Sequence, residues 1–137
     1  MNIVIDTNIF ISALIKEGIT RKIITESRQN FLLPEFELYE IYSNKKEILD
    51  KSKLSEKEFN ILLLRLLRYV RIIPTGIIID YRYEANKIMG NIDKDDTIFI
   101  ATALTFDSPI WSDDNHFQKQ NKVKILKTSH MINLFSN

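Results

Sequence analysis

The chain has 137 residues, 19 basic against 18 acidic side chains for a formal net charge of +1, and no cysteine. That length accommodates one domain spanning residues 1–137, and a composition 45% hydrophobic and 27% charged is that of an ordinary globular protein. Near-neutrality excludes the basic excess of an indiscriminate nucleic-acid binder, and the missing cysteines exclude disulfides and zinc–thiolate centres, as suits a reducing cytoplasm.

In chain order, the apolar run Asn2 to Ile5 reads as a first strand, buried on both faces as central parallel strands are. Asp6, Thr7 and Asn8 then offer helix-starting side chains ahead of Ile9 to Ile15. Gly18 breaks that segment, and Thr20 is placed to cap a short helix through Ser27. Phe31 to Leu33 reads as a second strand, closed by Pro34, which suits the first turn of a helix running to about Leu49. Ser55 and Glu58 make a capping-box pattern that opens a helix from Phe59 to Val70. Arg71 to Ile73 is a third short strand, and Ile77 to Met89 reads as a helix with a β-branched start. Thr97 to Phe106 is an Ala-containing helix, Ile110-Trp111 and Val123 to Leu126 are two further strands, and Ser129 to Phe135 is a closing helix.

Short strands alternating with helices predict βαβ units, hence an α/β fold whose central parallel sheet is covered on both faces. Ligands of such sheets bind outside the carboxyl ends of the strands. No basic leader precedes Ile9 to Ile15, and the apolar run Ile98 to Phe106 falls short of the roughly 18 residues a membrane span needs. A soluble, cytoplasmic protein without a membrane anchor is therefore expected. The helix after Ser55 carries Ile61, Leu62, Leu63, Leu64, Leu66 and Leu67 over more than one face, which predicts a homodimer contact.

Four acids stand where this topology would bring them to one sheet edge: Asp6, Glu40, Asp96 and Asp114. Gathered carboxylates repel one another and raise each other's pKa, and a hard divalent cation such as Mg²⁺ or Mn²⁺ relieves that repulsion. Each acid also has an ordinary explanation. Asp6 would cap the first helix, with Asn8 beside it as a support for the site or a cap of its own. Asp93, Asp95 and Asp96 precede a helix whose dipole favours acids, although three exceed that need. Asp96 is favoured as the ligand, Asp93 as a secondary one and Asp95 as solvated. Asp113 and Asp114 sit in a turn sequence, with Ser112 ahead of them to donate to a phosphate or hold a water. Glu40 shares its helix with Glu35, Glu37 and Glu47, and surface glutamates are usually solvated. His116 and His130 read as loop or structural histidines.

Taken in order, these motifs resemble those of the PIN-domain ribonucleases, in particular the small VapC-like toxins of toxin–antitoxin pairs. Ile3-Val4-Ile5-Asp6-Thr7-Asn8 is similar to the family's opening, Asp96 to Leu104 to its third motif, and Trp111-Ser112-Asp113-Asp114 with Phe117 to its closing one. The resemblance selects Asp114 over Asp113, pairs Ser112 with it, and places Glu40 at the family's second acid. It implies an α/β/α sandwich, RNA as substrate, an antitoxin protein as partner, and a catalytic, metal-binding set of Asp6, Glu40, Asp96 and Asp114.

The chemistry expected of that set is hydrolysis of an RNA phosphodiester by a water that one or two cations activate. A phospho-aspartate enzyme resembling the haloacid dehalogenases would need an acid two residues after Asp6, where Asn8 stands. A receiver-type domain would need a phospho-acceptor on a middle strand and a late lysine, neither of which has a convincing match. A non-catalytic RNA- or protein-binding module of the same fold, or a structure-specific DNA nuclease, are the remaining alternatives.

Overall fold

The computed structural model describes residues 1–136. Five strands, β1 (Asn2–Ile5), β2 (Asn30–Pro34), β3 (Val70–Ile73), β4 (Ile110–Trp111) and β5 (Ile125–Leu126), form one sheet in the order β3-β2-β1-β4-β5. Every pairing is parallel. The strand side chains alternate between two apolar cores: Ile3, Ile5, Phe31, Leu33 and Trp111 enter one, Val4, Leu32, Ile73 and Ile110 the other. Burying each such side chain contributes about 1.5–3 kcal/mol over leaving it exposed, which is why nearly continuous apolar runs occupy the central strands.

Helices cover both faces, giving the three-layer α/β/α arrangement. The first core is closed by α1 (Thr7–Ile15), α2 (Ile19–Glu26), α3 (Glu37–Ser43), α4 (Lys45–Ser52), α5 (Glu56–Leu67) and α9 (Thr128–Ser136). The second is closed by α6 (Thr75–Ile78), α7 (Arg82–Met89) and α8 (Thr97–Phe106). The chain adds strands outward from β1 to β3, then returns to the other side of β1 with β4. The crevice of such a sheet opens where the direction of winding reverses, here between the carboxyl ends of β1 and β4.

Several element boundaries differ from those read in the sequence. The helix read from Phe59 to Val70 runs Glu56–Leu67, Val70 opens β3, and β5 begins at Ile125 rather than Val123. Three further differences have a local cause. The helix expected from Pro34 to about Leu49 is two helices meeting at Asn44 (φ −95°, ψ 7°), whose side-chain amide donates to the Glu40 carbonyl at 2.7 Å. An asparagine that bonds a nearby carbonyl competes with the helical ladder and turns the chain. The stretch from Ile77 to Met89 is α6, a 3-10 turn at Ile79–Tyr81 and α7, because three consecutive β-branched residues resist a regular helix. Helix α2 begins at Ile19 after Gly18, with no side-chain cap, so Thr20 lies inside its first turn. The Ser55–Glu58 capping box is present in full. No helix among the described residues is long and apolar enough to cross a membrane.

Candidate metal centre

The β1–β4 ladder fixes the first part of the site. The Asp6 amide donates to the Trp111 carbonyl at 3.1 Å, which brings the ends of the two strands side by side. Asp6 is 4% exposed, and its two carboxylate oxygens have separate roles. Oδ1 accepts from the Asn8 amide at 3.1 Å, capping α1, while Oδ2 accepts from Ser112 Oγ at 2.7 Å. The cap and the site residue are thus the same side chain. Ser112, fully buried, also accepts from the Asp114 amide at 3.0 Å, so one hydroxyl ties both acids together. Its single proton is committed to Asp6, which assigns it to positioning the acids rather than to donating to a phosphate. Asn8 contributes its backbone amide; its side chain points to solvent and makes no hydrogen bond among the described residues.

Asp113 and Asp114 diverge. Asp113 accepts from the Thr128 amide at 2.8 Å and hydroxyl at 2.6 Å, pinning the loop after β4 to the start of α9. Asp114 turns inward and accepts from the His116 amide at 2.9 Å. Across the crevice, Asp93 caps a 3-10 turn through the Asp95 amide, and Asp95 itself is solvated. Asp96 follows at the first turn of α8, makes no capping bond, and leaves Oδ2 buried without a hydrogen-bond partner among the described residues.

His116 projects into the space between these acids. Its Nδ1 lies 3.0 Å from Asp93 Oδ2, 3.6 Å from Asp114 Oδ1 and 3.9 Å from Asp96 Oδ2. None of these approaches is aligned as a hydrogen bond, so Nδ1 is a second buried polar atom without a partner. The sequence reading took this imidazole for a solvated loop residue. Its only linear signal was its distance of two residues from Asp114.

Helix α3 supplies two glutamates. Glu40 lies exposed on the rim, close enough for its charge to raise the pKa of Asp6. Glu37, three residues earlier and so on the same helical face, is 4% exposed and accepts from Thr7 Oγ1 at 2.8 Å. Sequence reasoning grouped Glu37 with the solvated glutamates. What could have found it is its place in the first turn after β2, at the sheet's carboxyl edge.

The electrostatics follow from crowding these acids with little water. Burial raises the Asp6 pKa; hydrogen bonds from Ser112 and Asn8 oppose the rise, and the charges of Asp114 and Glu40 add to it. Burial pushes Asp96 up to about 7, helped by the charges of Asp93, Asp6 and Asp114 and opposed by His116. Burial again, then the hydrogen bond and charge of Glu40, carries Glu37 up to about 8. A cluster whose members resist ionising together, and whose Asp96 Oδ2 is buried without a donor, has the chemistry of a cation site. Ligand atoms of Asp93, Asp96 and His116 lie within 4.8 Å of one another. Asp6 and Asp114 lie near enough for their charges to act on Asp96, and Glu37 and Glu40 near enough to act with Asp6, but neither Asp6 nor Asp114 belongs to that close group of donor atoms. The oxygen-rich donor set fits a hard divalent ion.

The family model described as the PIN domain matches residues 4–133, which takes in every acid of the cluster. No curated protein matches the chain significantly.

Proposed function

The chain belongs to the PIN-domain family, and from that premise we propose that it is a divalent-metal-dependent endoribonuclease acting as the toxin of a toxin–antitoxin pair. The observation that carries this reading is the set of carboxylates at the β1–β4 crevice, with Asp96 Oδ2 buried and unpartnered. Asp6, Asp96 and Asp114 would hold the cation, with Glu40 reaching from the rim and Asp93 as an additional donor. Mg²⁺ and Mn²⁺ are the ions suited to so many oxygens. When bound, such an ion supplies positive charge to the phosphoryl oxygens and acidity to a nearby water.

The protein's own residues do the rest. Ser112 fixes Asp6 and Asp114 relative to each other, so the donors are preorganised and do not move as charge develops. Asp96 Oδ2 carries no hydrogen bond, and Glu40, against Glu37, is exposed on the rim; either acid can orient the water that attacks phosphorus. That carboxylate would take the water's proton as the new phosphorus–oxygen bond forms; the bond to the ribose oxygen would break, that oxygen would take a proton from solvent, and no side-chain nucleophile is needed.

A cytoplasmic setting suits a cysteine-free chain of this kind. Helix α5 buries Phe59, Leu63 and Leu66 but leaves Ile61 51% and Leu64 66% exposed, which supports the homodimer contact. Sedimentation at micromolar concentration would read a dimer that Leu64→Glu converts to monomer; a monomeric parent chain would contradict it. For the toxin role, expression alone should arrest growth and co-expression of the cognate antitoxin should restore it.

The direct test is cleavage of labelled single-stranded RNA with Mn²⁺ or Mg²⁺, beside EDTA and an Asp96→Asn variant shown to be folded by circular dichroism. Cleavage lost in both controls supports the reading. Cleavage indifferent to Asp96, or confined to DNA, refutes it.

A further inference from the structure

Glu37 and Glu40, at the edge of the acid cluster, border a longer cleft that also carries two exposed aromatic rings. A cavity of about 1050 Å³ runs from Glu37 and Glu40 on α3 to Tyr83 and Asn86 on α7, with Phe36 on its near wall. Phe36 is 60% exposed and Tyr83 76%, and both face this one cavity. Each ring also has a neighbouring side chain. Tyr39 packs on Phe36 with centroids 5.8 Å apart, and Lys87 Nζ, one turn on from Tyr83, lies 5.3 Å from its ring centre. Aromatic rings left open to water beside a group of carboxylates are not explained by core packing.

We propose that Phe36 and Tyr83 form a base-stacking shelf that seats single-stranded RNA leading into the carboxylate cluster. The inference rests on the nuclease reading above and assigns the substrate's position. Every base offers a π-face, so an aromatic shelf captures unpaired nucleotides without demanding a sequence, whereas a duplex keeps its bases stacked on one another. Arg82 and Lys94 border the same cavity and make no ion pair among the described residues, which leaves them to meet the backbone phosphates. Glu37, Glu40, Asp80 and Asp95 border it too, so its wall carries more acids than cations. Binding must come from short-range stacking and two local cations rather than from long-range attraction, in keeping with the net charge of +1.

The test is fluorescence anisotropy of a labelled single-stranded oligoribonucleotide of about twelve nucleotides on the 137-residue chain, with EDTA present so that binding is read without cleavage. A stacking contact predicts that Tyr83→Ala weakens binding by roughly tenfold or more. Tyr83→Phe should retain affinity, since the ring and not the hydroxyl stacks. Tyr69→Ala, which removes a 50% exposed tyrosine outside the cavity, controls for loss of any surface aromatic and should have no effect. Salt dependence should be shallow, a slope near −1.4 for two phosphate contacts on a single strand (roughly −0.7 each). Equal affinity in the parent chain and Tyr83→Ala, or duplex RNA bound as well as single strands, overturns the shelf. So does a Tyr83→Ala phenotype confined to protein self-association, which would make the aromatics a protein contact. Ring-dependent binding without any cleavage in Mn²⁺ would leave the shelf standing and remove the nuclease; cleavage with ring-independent binding and KM would do the reverse.

Discussion

The two sides of the crevice are built on different terms. On the sheet side, Asp6, Ser112 and Asp114 hang from the β1–β4 ladder, and each buried oxygen of Asp6 already has a donor. On the helix side Asp96 presents a buried polar atom with no partner, as does His116 reaching over from the turn after Asp114, and Glu37 is held against Glu40 in an environment that disfavours charge. The sheet side is finished by the fold itself. The helix side has the donor chemistry of a divalent-cation site. A site divided this way separates position from charge: one half sets geometry at folding, the other responds to its ligand.

Substitutions that break this division should differ in size and in kind. The largest effect is expected at Asp96, where Asn keeps the shape and removes the charge. Activity should fall by about a thousandfold or more, in line with the loss of a principal electrostatic group, measured as single-turnover cleavage of a labelled RNA. The same variant should melt higher than the parent chain in EDTA at pH 8, because one of the mutually repelling charges is gone. A lower melting temperature there would show that Asp96 is structural.

Ser112→Ala sharpens the contrast from the sheet side. It removes the hydroxyl that joins Asp6 to Asp114 without removing a donor to the metal. The expected loss is about 10–100-fold in activity, as for other groups that orient ligands. It should be accompanied by about 1–3 kcal/mol of destabilisation, since buried Asp6 Oδ2 is left without a partner. Denaturant unfolding beside cleavage kinetics reads both. The two variants should therefore move stability in opposite directions.

The helix side also fixes the sign of the pH dependence. Glu37 rises from 4.5 to about 8 and Asp96 from 3.8 to about 7 on folding. A raised carboxyl pKa means that the folded state holds the proton more tightly. Its contribution to stability is complete below the unfolded values and is lost as pH climbs through the folded ones. In EDTA the melting temperature should fall by several degrees between about pH 5 and pH 8. Saturating Mn²⁺ should flatten that slope. A metal-free protein that becomes more stable over this interval would contradict the assignment. The smallest effect belongs to Glu37→Gln, which replaces a reluctantly ionised group by a neutral one. It should recover a few degrees at pH 8 and almost nothing at pH 5.

The same contrast explains what could be read from the sequence. Asp6 and Asp114 were legible because each follows a short apolar run, and a strand end in a parallel sheet is already a position in space. Asp96 was legible as an acid in excess of what capping uses. Glu37 was not, since its burial depends on how α3 lies across β2 and on Thr7 reaching it from another helix, neither of which is periodic in the chain. The break at Asn44 that ends α3 is a side-chain bond to its own backbone, invisible in a pattern that continues as a helix. His116 escaped for a related reason: a 3-10 turn after Asp114 aims it back into the site. Asp113 illustrates the converse, because only its bonds to Thr128 separate it from its neighbour.

The central claim is that these carboxylates hold a divalent cation, and counting bound Mn²⁺ tests it most directly. Free and bound Mn²⁺ would be resolved by electron paramagnetic resonance at pH 7.5 for the parent chain, Asp96→Asn and Asp113→Asn. The parent and Asp113→Asn should bind one or two ions, and binding should weaken by about tenfold or more in Asp96→Asn. No bound Mn²⁺ in the parent chain, or equal binding in all three, would contradict it.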